Sequence, residues 1–181
     1  MAFTPKTWAT DDNISDTELN RIETGIDDVT DDLAALETAL DALSHVSVYH
    51  DVATSIPDST ETVIPWASEY YDSETEHSAG TFTATVTGYY HVSAHVGFSS
   101  GTWDVGKIAE LRLYANSQHR CSGTSWESQV NTTHKPSCSL NHTVYLEATQ
   151  TIQIKAYQDS GGARTLNSSG SYNRLSIDRL R

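Results

Sequence analysis

Eight apolar residues near the amino end, Leu19, Ile22, Ile26, Val29, Leu33, Leu36, Leu40 and Leu43, are separated by steps of 3, 4, 3, 4, 3, 4 and 3. Such alternation keeps a narrow apolar stripe on one side of a helix. A helix resting on a globular core drifts toward a 3.6-residue period and adds a third apolar position per heptad, whereas only the a and d positions are consistently large and apolar in this segment. The stripe therefore reads as an oligomer seam. Leu19, Leu33 and Leu40 fill a positions alongside Ile26, and Ile22 and Val29 bring β-branching to d, a pairing that leans away from dimers toward trimers or tetramers.

The start of this helix is also encoded. Ser15-Asp16-Thr17-Glu18 has the form of a capping box, with Ile14 and Leu19 set to close a hydrophobic staple across it. The spacing predicts a helix from near Asp16 to about Ser44, giving a coiled-coil stalk over residues 16–45 with residues 1–15 ahead of it as an attachment segment. Gly25 weakens it by about 1 kcal/mol, and Glu23, Asp32 and Glu37 at the e and g positions have no Lys or Arg opposite them. An isolated stalk is expected to be marginal at low salt.

Charge narrows the partners. The chain carries −13 formally, and residues 1–45 hold 11 acids against Lys6 and Arg21, a net of −9. An acidic field repels phosphate backbones and anionic lipid, so neither nucleic acid nor membrane insertion is expected. Four lysines beside fourteen aspartates would suit a very salty medium, where self-repulsion is screened, or simply ordinary acidic solubility. No apolar run approaches the roughly 18 residues of a membrane span, and the first residues lack the apolar stretch of a signal peptide; a soluble protein without an export address is expected.

After His45 the apolar period changes to 2, with Ser, Thr and Gly punctuating short runs. This is the pattern of a β domain over residues 46–181. The clearest strand covers residues 89–98, with Tyr90, Val92, Ala94, Val96 and Phe98 on one face and His91, Ser93, His95 and Gly97 on the other. One face is core; the other meets solvent or a neighbouring subunit. Similar alternation places Ala109, Leu111, Leu113 and Ala115 inside one strand, Leu140, Val144 and Leu146 inside another, Ile152, Ile154 and Ala156 inside a third, and Leu175 and Ile177 inside the last. Many strands without intervening helices imply a mainly β fold, a jelly-roll antiparallel sandwich, preceded by the trimeric α-helical coiled coil.

Several short motifs carry a resemblance. Gly80-Thr81-Phe82-Thr83-Ala84 followed by Thr87-Gly88-Tyr89-Tyr90-His91-Val92-Ser93 resembles the G-x-F-x-A and G-x-Y-x-F-S core of complement C1q-like and tumour-necrosis-factor-like heads, with Tyr90 on the motif tyrosine. Leu111 to Asn116 is similar to that family's L-x-x-N-G strand and turn, except that Ser117 replaces Gly. Val144 to Ala148 resembles the strand entering its Gly-Asp turn, where this chain has Thr149-Gln150. The resemblance implies a trimeric jelly roll that recognises ligands through exposed loops or subunit clefts. Separately, Phe3-Thr4-Pro5-Lys6-Thr7-Trp8 and the run from Asp16 to Ile26 are similar to the opening of tailed-phage structural proteins, just before a fibre or spike domain. That likeness implies a virion surface protein, held to other virion proteins through residues 1–15 and binding a host-surface glycan or protein, or else a capsid or tail decoration trimer with a purely structural role.

Catalysis is not expected. Glu76-His77-Ser78-Ala79-Gly80 departs from a nucleophile elbow at its first position, and a glycan-degrading enzyme would need a long sugar groove. No cofactor or metal site is expected: His91 and His95 on one strand would lie about 13 Å apart, too far to share an ion. Trp103 and Asp104 in segment 99–106 and Trp126 in segment 123–129 are candidate receptor contacts, with burial in the core or at a trimer interface as the alternative for the two tryptophans. Cys121 and Cys138, the only cysteines, either form a disulfide worth about 3 kcal/mol or remain two free thiols. Asn131, Asn141 and Asn167 occupy N-x-S/T sequons.

Overall fold

A computed structural model of the chain describes residues 15–41, 44–130 and 132–180, which divide into a helical unit within residues 1–41 and a β unit within residues 42–181.

The helical unit is a single helix, α1, Asp16–Asp41. Its start is the capping box read from the sequence. The Glu18 carboxylate accepts from Ser15 N (3.0 Å) and Ser15 Oγ (2.9 Å), while Glu18 N donates back to Ser15 Oγ at 3.3 Å. Two donors that would otherwise be orphaned at the helix end are satisfied reciprocally. Along the seam Leu19, Ile22, Ile26, Val29, Leu33 and Leu36 are all exposed, from 38% at Ile22 to 67% at Val29. Leu43, like Ile14 and the segment before it, lies outside the described residues, as does the side chain of Leu40.

The β unit contains β1 (His45–Tyr49), β2 (Ser55–Ile56), β3 (Thr62–Val63), β4 (Ser68–Asp72), β5 (His77–Ser78), β6 (Thr81–Thr83), β7 (Gly88–Gly97), β8 (Gly101–Trp103), β9 (Ile108–Ala115), β10 (Gln118–Ser122), β11 (Trp126–Glu127), β12 (Thr132–His134), β13 (Ser137–Leu146), β14 (Thr151–Gln158), β15 (Arg164–Thr165) and β16 (Arg174–Leu180). One antiparallel sheet of five strands runs β13-β7-β16-β1-β4. A second runs β10-β9-β14-β6-β5, with β11 also on β9 and β3 also on β14. The long strands form because their side chains alternate. β14 reads half-buried, buried without a break from Thr151 to Gln158, the signature of a strand with one face on a core.

The two inner faces meet in one apolar core that takes Val46, Val92, Val96, Leu140 and Ile177 from the first sheet and Phe82, Leu111, Leu113, Ile152 and Ile154 from the second. Each such side chain contributes roughly 1.5–3 kcal/mol. Phe82 and Tyr90, the two aromatics of the G-x-F and G-x-Y motifs, stack edge to face at 5.3 Å, and the Tyr90 hydroxyl donates to Val86 O. Burial pushes the Tyr90 phenol up.

Two turns form without the glycines expected in them. Asn116 and Ser117 both adopt positive φ (48° and 65°) between β9 and β10, the geometry of a two-residue type I′ hairpin. Thr149 takes φ 75°, and its turn is closed by Gln150 N donating to Glu147 O (3.0 Å) and by Glu147 N donating to Gln150 Oε1 (3.1 Å). Gly80 is different: at φ +84° a Cβ would lie 2.4 Å from Ile64 O, so only glycine fits.

Candidate interaction face

The three candidate receptor contacts part company in the structure. Trp103 is fully buried. It pairs with Thr132 across β8 and β12, stacks edge-on against Phe98 (5.9 Å) and Trp126 (5.1 Å), and lies under the Arg164 guanidinium at 5.3 Å. It is a core anchor, which corrects the reading of it as a receptor contact. Trp126 is half-buried between Trp103 and His134. Asp104 alone is exposed.

The disulfide reading is corrected as well: both cysteines are free thiols. Cys121 pairs with Leu113 in the second sheet and Cys138 with Val96 in the first. Cys138 Sγ is committed to Ala109 O at 3.2 Å, and burial pushes that thiol up to about 12. Burial also raises Cys121. A thiolate is the reactive form, so neither is primed for exchange.

The run resembling a nucleophile elbow is structural. Glu76 is buried and accepts from Ser44 Oγ, from Thr85 N (2.9 Å) and from Thr85 Oγ1 (2.6 Å). His77 beside it is pushed down by burial. Among the described residues no three His, Cys, Asp or Glu side chains gather as a metal site would require.

A more extensive arrangement appears on the outer face of the five-stranded sheet, where the registers of β13, β7, β16 and β1 place side chains in straight rows. The first runs Tyr145, Tyr89, Leu180. The second runs Thr143, His91, Asp178, His45. The third is Asn141, Ser93, Ser176, Ser47, and the fourth Ser139, His95, Arg174, Tyr49. Beyond β1, Tyr70 and Tyr71 of β4 both reach this face, Tyr70 against Tyr49 (4.4 Å) and Tyr71 against His45 (5.5 Å). A register shift between Ser47 and Val48 makes this possible by adding a residue to one strand.

The middle of this face is polar and short, its ends aromatic. Tyr89 and Tyr145 stack edge-on at 5.2 Å, and Tyr70, Tyr71, Tyr89 and Tyr145 are each more than half exposed. His45 Nδ1 bonds to Asp178, His95 Nδ1 to Ser139 Oγ (2.8 Å), and His91 Nδ1 lies 3.4 Å from Thr143 Oγ1. Exposed tyrosines combine apolar area with a polar tip and little rotamer freedom, the composition of protein contact surfaces. Sequence alternation had exposed His91, Ser93, His95 and Gly97 together, but not His45 and Asp178, which are 133 residues apart.

No protein-family model and no curated protein matches this sequence. Solved structures do. The globular domain of zebrafish complement 1qA superimposes with a TM-score of 0.53 at 13% identity, over 76% of this chain and 98% of that one. The Eiger TNF of S. frugiperda gives 0.54 at 12% identity, over 77% and 93%. Murine APRIL gives 0.55 at 16% identity, over 76% and 99%. The β unit has the C1q/TNF fold. With identity this low the likeness lies in backbone and core, and the C1q/TNF fold here is closed by turns built from Asn116-Ser117 and Thr149-Gln150.

Proposed function

We propose that this chain is a non-enzymatic homotrimer, the attachment protein of a virion tail fibre or spike, whose heads associate through the outer face of the five-stranded sheet and whose helices zip along the Leu19, Ile22, Ile26, Val29, Leu33 and Leu36 seam. The observation that carries the reading is that seam. Six large apolar side chains in strict heptad spacing are exposed on one helix, and covering them with two further copies removes that area from water at roughly 25 cal/mol per Å². The tyrosine-edged face of the sheet offers a second surface for the same partner, and the C1q/TNF fold agrees with self-association.

Attachment is supported by the likeness of residues 3–8 and 16–26 to tailed-phage openings. Residues 1–15 are the part assigned to other virion proteins, and the exposed loop residue Asp104 with half-buried Trp126 is the part assigned to a host-surface glycan or protein.

The test is surface binding by the purified full-length chain, on a glycan array and on intact host cells. Saturable binding that falls at least tenfold in Asp104→Ala or Trp126→Ala supports attachment through these residues. Absence of binding, together with full infectivity of particles lacking residues 46–181, would leave the decoration role instead.

A further inference from the structure

We propose that the gap between the open edges of β4 and β5 is a docking cleft for an extended, basic segment of another protein, which adds to β4 as a further strand. The inference stands apart from the attachment reading above and from the trimer.

The two sheets end differently on the two sides of the sandwich. On one side the chain bridges β10 and β13: Thr124 N donates to Ser139 O (2.7 Å), Ser139 N donates to Thr124 Oγ1 (3.0 Å), and a Cβ on Gly123 would lie 2.3 Å from Ser139 O. On the other side β4 is the last strand of the first sheet and β5 the last of the second. These two edges are clamped at both ends. At one end a Cβ on Gly80 would meet Ile64 O at 2.4 Å and Pro65 Cα at 3.1 Å, so the two segments touch there. At the other the Asp72 carboxylate accepts from Glu76 N and His77 N, both at 2.9 Å. Between the clamps the edges stand apart, leaving a cleft of about 370 Å³ lined by residues 65–69 and 77–79. Trp66 and Ala79, one on each wall, hold left-handed φ of 39° and 48°, strained placements that the surrounding fold must maintain.

An edge strand leaves a row of backbone N–H and C=O groups without a partner. Among the described residues no strand pairs with β4 on the side away from β1, and Glu69, Tyr70 and Tyr71 are exposed. The five residues of β4 span roughly 17 Å, enough for a short strand of a partner to take up those bonds by β-addition. Charge selects the partner. Glu69 lies in the cleft wall, Asp51 accepts from Ser68 Oγ beside it (3.1 Å), Asp72 closes one end, and Glu74 is exposed in the turn beyond. No lysine or arginine occurs between Arg21 and Lys107, and the cation placed against β4 is Arg174, over the Tyr70 ring at 5.9 Å. Burial pushes His77 down, so it adds no positive charge at neutral pH. A second copy of this chain, paired edge to edge, would set Glu69 and Asp72 against their own kind, which disfavours it. A strand carrying Lys or Arg would have its charges answered.

The experiment is fluorescence anisotropy of labelled peptides on the full-length chain near neutral pH, with amide hydrogen exchange read in parallel. The probes are a peptide of alternating lysine and valine, its glutamate-valine counterpart, and the first peptide with N-methylated valines, which keeps the charge and removes strand bonding. The lysine-valine peptide should bind saturably, one per chain, and slow exchange at residues 68–72. The other two peptides should not bind. Affinity should fall about tenfold in Glu69→Arg and stay unchanged in Glu127→Arg, which alters an exposed acid on β11. Absence of binding overturns the proposal, and so does equal binding of the N-methylated peptide, since charge alone would then be responsible. A Glu69→Arg variant that binds as well as wild type, or protection confined to a segment other than β4, counts against it equally. Amides of residues 68–72 that are already slow in the free chain, with no peptide bound, would show the edge covered by a second copy or by residues 1–14, and this also overturns it. None of these outcomes touches the attachment reading, which is read from Asp104 and Trp126.

Discussion

The outer faces of the two sheets differ in where their polar groups find partners. On the second sheet the network is closed within the chain. Glu61 accepts from Arg112 Nη1 (2.6 Å) and from the Tyr114 hydroxyl (2.6 Å), with Lys155 Nζ at 3.7 Å. Arg112 also pairs with Glu110 and lies over the Tyr157 ring at 4.0 Å, and Lys155 lies over Tyr114 at 3.8 Å. The charges of this network, Glu61, Glu110, Arg112 and Lys155, are answered within the chain. On the first sheet the rows end in hydroxyls, imidazoles and exposed phenols, with Arg174 and Asp178 as their fixed charges. A face that has satisfied its own charges gains little from a partner. A face edged with exposed tyrosine, whose third row is only Asn141, Ser93, Ser176 and Ser47, can gain much.

The largest effect that would break this contrast comes from a charge placed mid-face. Ser93→Arg adds a guanidinium to the central row, and an unpaired charge buried in an interface costs on the order of 3–5 kcal/mol; trimers should be lost in native mass spectrometry while the circular dichroism of the head is kept. The mirrored change on the second sheet, Gln153→Arg, should leave the mass untouched. Equal loss in both would erase the distinction between the faces.

A smaller effect is expected from Arg112→Ala. It leaves Glu61 and Glu110 without their guanidinium and should lower the unfolding free energy by about 1–2 kcal/mol, read from denaturant midpoints, with no change in oligomeric state.

The second face has a pH window of its own, set by Glu61. The hydrogen bond from Tyr114, reinforced by Arg112, holds the Glu61 carboxyl below its usual range. A depressed carboxylate contributes stability that is complete above its unfolded value and lost as pH falls through the folded one. This contribution therefore disappears only below about pH 4. Buried His50 and half-buried His77 are likewise depressed by desolvation, so their contribution to the fold fades as pH drops below about 6.5. In Arg112→Ala the stability difference from wild type should be constant from pH 8 to 5 and shrink below 4; a difference that instead collapses near pH 6.5 would contradict the assignment of this network to Glu61.

The smallest expected change provides a baseline for the rest. Thr149 is a β-branched residue in the left-handed region, a strained placement, so Thr149→Gly should raise the stability of the head by about 1 kcal/mol without touching either face.

The strands were readable because burial and alternation have the same period: the residues assigned inward in the strand at 89–98, and those at 109–115, 140–146, 152–156 and 175–177, are buried. The Ser15–Glu18 cap was readable because it is local. What depends on pairing distant segments was not. An indole reads the same whether a loop displays it or the core takes it, so the sequence left Trp103 open between receptor contact and core, and it lies in the core. Spacing could not say that Cys121 and Cys138 belong to different sheets. The row joining His45, Asp178, His91 and Thr143 exists only once four strands are in register.

The central claim, that three copies share the helical seam and the tyrosine-edged face, is tested most directly by sedimentation equilibrium of the full-length chain near neutral pH at low and high salt. The chain weighs 19.9 kDa, so the account predicts a species of about three times that mass in both, tightening as salt screens the acidic helices. A single species of 19.9 kDa under both conditions would contradict it.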